Sequence, residues 1–150
     1  MPRKKKSSSA RLGYARYVVR VTGWDRFWSF SVNLDRRYER TPLSSASTLT
    51  LRGKVFRPSD FKCPDAEITL SGHAMDLEGE ERRNSIGYVD VKSGLLRAYL
   101  FVPEPSMCEL TTLAASDRLR LIHMVGGPLR YGSAIVFGVN LNTEFDEEEW

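Results

Sequence analysis

The chain has 150 residues, 41% hydrophobic and 27% charged, with a net charge of +3. This composition excludes wholesale disorder, and no apolar run approaches the roughly 20 residues that cross a bilayer as a helix. Cys63 and Cys108 are too few for a secreted disulfide scaffold and lack CxxC spacing, so reduced thiols and a cytoplasmic, soluble protein are the expectation.

Residues 1–12 hold Arg3, Lys4, Lys5, Lys6 and Arg11 beside Ser7, Ser8 and Ser9, with little apolar surface to offset ordering. They are expected to form a flexible basic arm. A single β domain over 13–143 follows, then an acidic tail over 144–150. From Tyr14 to Thr22, Ala15, Tyr17, Val19 and Val21 alternate with Arg16, Val18 and Arg20, which predicts a strand. Gly23 to Arg26 is expected to turn the chain into a second strand, Phe27 to Leu34, with Trp28, Phe30, Val32 and Leu34 facing inward.

After a polar loop through Pro42, alternation resumes from Thr48 to Phe56, where Gly53 marks a bulge or a close backbone approach. Ala66 to Gly72 predicts a strand with Ile68 and Leu70 inward, and His73 to Ser85 a long exposed loop. Ile86 to Val91 and Leu95 to Val102 predict a hairpin across Lys92, Ser93 and Gly94. Both faces of the latter strand are apolar, so it should be central or covered.

Pro103 and Pro105 end that strand. Ser106 then stands as a cap for a helix to Ala115, with Met107, Leu110, Leu113 and Ala114 at helical spacing and Glu109 at the capping-box position. Arg118 to Val125 and Ser133 to Asn142 complete the set, with Leu119, Leu121, His123 and Val125 in register on the first and Ile135, Phe137, Val139 and Leu141 inward on the second. About eight strands with one short helix predict a mainly β fold, an antiparallel β-sandwich or partly open barrel.

Catalytic chemistry finds little support. His73 and His123 are the only histidines, without metal-ligand spacing, and no GxSxG is present. Asp76, Glu78, Glu80 and Glu81 lack an EF-hand pattern and are followed at once by Arg82 and Arg83. Gly126, Gly127 and Gly132 frame a turn containing Pro128, not a dinucleotide loop. No catalytic residue, metal site or cofactor is therefore assigned, and the balance is against an enzyme.

What remains points to binding. Trp24 and Phe27 at the expected hairpin end are candidate anchors for a protein partner or stacking platforms for a base. Arg16, Arg20, Arg52, Lys54, Arg118 and Arg120 point outward and, if their strands neighbour one another, form a cationic stripe. With Tyr131 they make the alternative function a single-stranded nucleic-acid-binding protein. The leading expectation is a noncatalytic interaction module with a protein partner, able to form homo-oligomers through strand edges.

At the other end, Glu144, Asp146, Glu147, Glu148 and Glu149 precede Trp150. An aromatic ending an acidic cluster resembles the tail tips of bacterial and phage single-stranded-DNA-binding proteins. For Asp146 to Trp150 the likeness implies a role in recruiting partner proteins. It covers Glu144 to Trp150 alone and assigns no residue in the body.

Overall fold

A computed structural model describes residues 13–32, 43–73 and 85–144. The basic arm, the carboxylate-rich stretch between His73 and Ser85, and the tail from Asp146 to Trp150 lie outside the described residues. Seven strands and one helix occur in the order β1 (Ala15–Val32), β2 (Leu43–Arg57), β3 (Asp65–His73), β4 (Gly87–Lys92), β5 (Leu95–Pro103), α1 (Ser106–Ala115), β6 (Leu121–Gly126) and β7 (Ser133–Asn142). They pair as one mixed sheet, β1-β2-β3-β5-β4-β7-β6, which closes into a ring when β6 pairs with β1. Of the expected antiparallel β-sandwich or partly open barrel of about eight strands, the mainly β content and the single short helix are observed, with seven strands in one mixed ring.

The interior repeats the expected alternation on most strands. Tyr17, Val19, Leu49, Leu51, Ile68, Leu70, Leu96, Leu100, Ile122 and Met124 are buried in one cluster. Each fully buried aliphatic side chain of this kind contributes roughly 1.5–3 kcal/mol of transfer free energy. β5 is central, pairing with β3 and β4, as its two apolar faces require. The β3–β5 pair is parallel, so the sheet is not purely antiparallel. The β4–β5 hairpin turns through Ser93 and Gly94 at φ 54° and 73°, the left-handed pair that a two-residue turn between twisted strands requires.

Four sequence expectations are corrected. Gly23 to Arg26 is not a turn: β1 runs unbroken for 18 residues, and a register shift between Val21 and Gly23 replaces the bend. One extra residue exchanges the strand's faces, so Val19 and Val21 precede the shift on the core side and Trp24 follows it there. β7 behaves likewise. Gly126 pairs with Val136 and Val125 with Gly138, leaving Phe137 as the extra residue. Ala134 and Val136 face the core before the bulge and Val139 and Leu141 after it, while Ile135 and Phe137 are exposed.

On β6 the core side is Ile122 and Met124; Leu121 and His123 are buried on the opposite face. The strand is covered on both sides, which a period-two pattern does not distinguish from a half-buried one. Finally, α1 has the expected bounds, but Pro105 is its N-cap and no side chain caps it. Met107 and Ala114 anchor the helix in the core, with Leu110 and Leu113 packed beside them.

Candidate interaction surface

β1 and β2 continue as a two-stranded ribbon beyond the ring. β6 pairs with β1 only from Ala15 to Arg20, and β3 with β2 only from Thr48 to Lys54, whereas the β1–β2 ladder extends to Val32 opposite Leu43. The core-side face of β1 therefore runs past the core. Arg26 lies opposite Leu49, and Trp28 and Phe30 lie opposite Ser47 and Ser45 on that same face. Leu49 is fully buried, but Trp28 is 65% exposed, Phe30 59% and Val32 60%. The inward assignment of Trp28, Phe30 and Val32 is thus overturned: their alternation is correct, but no layer lies over them.

The base of the ribbon is pinned to the helix. Arg26 Nη1 donates to Thr111 Oγ1 and, at 3.4 Å, to the Met107 carbonyl, while Nη2 donates to Ser47 Oγ at 2.8 Å. These residues, with Trp28, Cys108 and Thr112, line a cavity of ≈ 340 Å³ between ribbon and helix. Above it the Trp28 and Phe30 rings lie 6.4 Å apart and nearly parallel, at 11°, within the offset-stacking range. Phe27, 58% exposed, projects from the other face.

No charged residue occurs from Phe27 to Leu34 or from Thr41 to Leu51. In a chain with 27% charged residues, that leaves the ribbon as an uncharged, aromatic projection.

A second feature gathers cations. Arg20 and Lys54 are direct cross-strand partners, and with Arg120 they line a groove of ≈ 710 Å³ floored by Val21, Val55 and Phe56 and bordered by Thr22 and Thr143. Like charges opposed across a ladder destabilise it, and Lys54 is offset by an ion pair to Asp65. Arg52 pairs with Asp25 and, at 3.7 Å, with Glu67. Such exposed pairs contribute little, about 0–1 kcal/mol.

The structure therefore brings Arg20, Lys54 and Arg120 together and engages both Lys54 and Arg52 with carboxylates. Arg16 lies further along β1, opposite Val125, and Arg118 sits in the α1–β6 connection. Of the aromatic candidates, Phe27 is on the ribbon, Trp24 is half-buried against the core, and Tyr131 is exposed in the β6–β7 connection at φ 53°.

Two buried groups are displaced from their ordinary protonation ranges. Burial raises the Tyr17 phenol, whose hydroxyl donates to the Gly127 carbonyl at 2.9 Å. Burial, and secondarily repulsion from Arg16, lowers His123. Among the described residues no group of three His, Cys, Asp or Glu is placed to hold a metal, and no helix is long and apolar enough to cross a membrane. Cys63 is a buried and Cys108 an exposed free thiol.

Trp28, Phe30 and Val32, like Ile135 and Phe137 on β7, are surface residues that sequence reasoning assigned to the core. The available signal was on the opposite strand: Ser45 and Ser47, the cross-strand neighbours of Phe30 and Trp28, are too small to enclose an aromatic row. Comparison with protein-family models, curated proteins and solved structures finds no match.

Proposed function

We propose that this chain is a noncatalytic binding module that engages a protein partner through the β1–β2 ribbon. The observation that carries the reading is the row Trp28, Phe30 and Val32, three large apolar side chains each about three-fifths exposed on an uncharged projection. The closed β ring serves as a rigid frame, and the Arg26 contacts to α1 hold the ribbon at a fixed angle. Rigid aromatic anchors lose little conformational entropy on docking and dominate binding energy where they fill a partner's pockets. A cytoplasmic setting, in which Cys63 and Cys108 stay reduced, belongs to the same reading.

The test is affinity capture with the full chain and with a Trp28→Ser/Phe30→Ser variant, identifying both proteins and nucleic acids retained. A protein held by the parent and lost by the variant supports the reading. Equal recovery on both overturns it.

One observation favours a second reading, the binding of single-stranded nucleic acid. The groove gathers Arg20, Lys54 and Arg120, with Lys54 also paired to Asp65, and cationic grooves track phosphate backbones. On this reading the acidic tail, which begins beside Thr143 at the groove's border, competes with the ligand. Oligonucleotide anisotropy across a salt series separates the readings, with log K falling by about 0.7 per phosphate contacted per decade of salt. A chain ending at Thr143 should bind more tightly than the full chain. No saturable binding by either eliminates this alternative.

A further inference from the structure

We infer that the free edge of β1 from Trp28 to Val32 pairs antiparallel with the same segment of a second copy, about a two-fold axis at Phe30. The inference rests on the ribbon being the contact surface and names its occupant. Among the described residues, β1 beyond Asp25 pairs with β2 alone, so its other edge presents unsatisfied N–H and C=O groups at every second residue.

The chemistry of the segment is close to its own reverse. With Phe30 opposite Phe30, Trp28 meets Val32 and Ser29 meets Ser31, which puts all apolar side chains on one face and all hydroxyls on the other. A one-residue slip places aromatics opposite serines, so the alternation itself selects the register. The edge also lacks the features that guard natural edges against pairing: Trp28 to Val32 contains no lysine, proline or bulge. A charged partner finds no counter-charge along it, whereas an identical uncharged strand matches it throughout.

Area sets the strength. At exposures of 65% and 59%, Trp28 and Phe30 present on the order of 200–300 Å² per copy, taking about 150–250 Å² for a whole aromatic side chain. Two copies therefore approach the roughly 1,000 Å² that a specific interface requires only when the strand backbone and Val32 are included. The association is weak and concentration-dependent, a dimer at the lower end of interface sizes.

Sedimentation of the full chain between about 5 and 500 µM tests this, a span suited to an interface of that size. The mass should rise from 17.1 kDa toward twice that value, and hydrogen exchange of residues 27–32 should slow over the same range. Phe30→Lys sets two ammonium groups against each other at the axis and should raise the dissociation midpoint at least about tenfold. Ala46→Lys adds the same charge on the β2 edge, which the pairing does not use, and should leave the midpoint unchanged.

A mass that stays at 17.1 kDa throughout, or equal loss of association in both variants, overturns the inference. Unchanged association in Phe30→Lys does the same. If the chain is monomeric yet Trp28→Ser/Phe30→Ser still loses a captured protein, self-pairing fails while the ribbon remains the contact surface. If neither association nor capture depends on the ribbon, both fail.

Discussion

Gly53→Ala tests the joint between ring and ribbon. Gly53 is buried on β2 opposite Val21, where β1 shifts register, and an added Cβ would fall 2.1 Å from the Arg20 carbonyl oxygen and 2.7 Å from Val19 Cγ1. A carbon against a backbone oxygen needs more than 3 Å, so the strands must part locally by about 1 Å, a fifth of the ~4.8 Å ladder spacing. Two or three ladder hydrogen bonds are then lost or stretched, each contributing about 1 kcal/mol net, and Val19 is pushed from its packed position. The expected loss is about 3 kcal/mol, which for a domain of this size lowers Tm by roughly 6–12 °C.

Urea unfolding followed by intrinsic fluorescence measures the change as a shift in midpoint at constant slope. Gly23→Ala is the matched control, because a Cβ there meets nothing within 4 Å. It should change stability by no more than about 0.5 kcal/mol. A Gly53→Ala loss below about 1 kcal/mol, or equal losses at both glycines, would refute the account of a close β1–β2 approach.

Tyr17→Phe removes the hydroxyl that reaches the Gly127 carbonyl but keeps the ring. It should cost about 1 kcal/mol in urea unfolding, whereas Tyr17→Ala should cost about 3–5 kcal/mol by opening the core. Because the folded state depresses His123, protonation favours the unfolded chain. The stability held by its neutral form is fully present above the ordinary value near 6.5 and is lost as pH falls through that value toward the lowered folded one. A urea-midpoint series from pH 8 to 5 should therefore fall more steeply for the parent than for His123→Gln. Trp28→Ser and Phe30→Ser should leave the urea midpoint within about 0.5 kcal/mol of the parent, since both rings are mostly exposed. A larger loss would mean the ribbon face is packed rather than presented.

Where hydrophobic alternation met an uninterrupted ladder, sequence and structure agree. Ile68 and Leu70 on β3 and Leu96, Ala98 and Leu100 on β5 face the core as their spacing predicts, and the Ser93–Gly94 turn follows from its residues. Two of the errors arise at bulges. An extra residue near Gly23 and another at Phe137 exchange the strand's faces without leaving a periodic trace, so one β strand is expected as two, and Ile135 and Phe137 are expected on the buried side with Val139 and Leu141, whereas of these four only Val139 and Leu141 pack on the core. The cationic groove was legible only as a list: outward Arg20, Lys54 and Arg120 were identified, but their adjacency depends on β6 reaching round to pair with β1.

Between bulges, the sequence by itself determined which side chains share a face, and it determined where the helix begins and ends, because these depend on local spacing and residue chemistry. Only the tertiary structure decided whether a shared face is covered. Covering requires a second element at contact distance, and Trp28, Phe30 and Val32 have the pattern of a core but stand beyond the last strands that could enclose them.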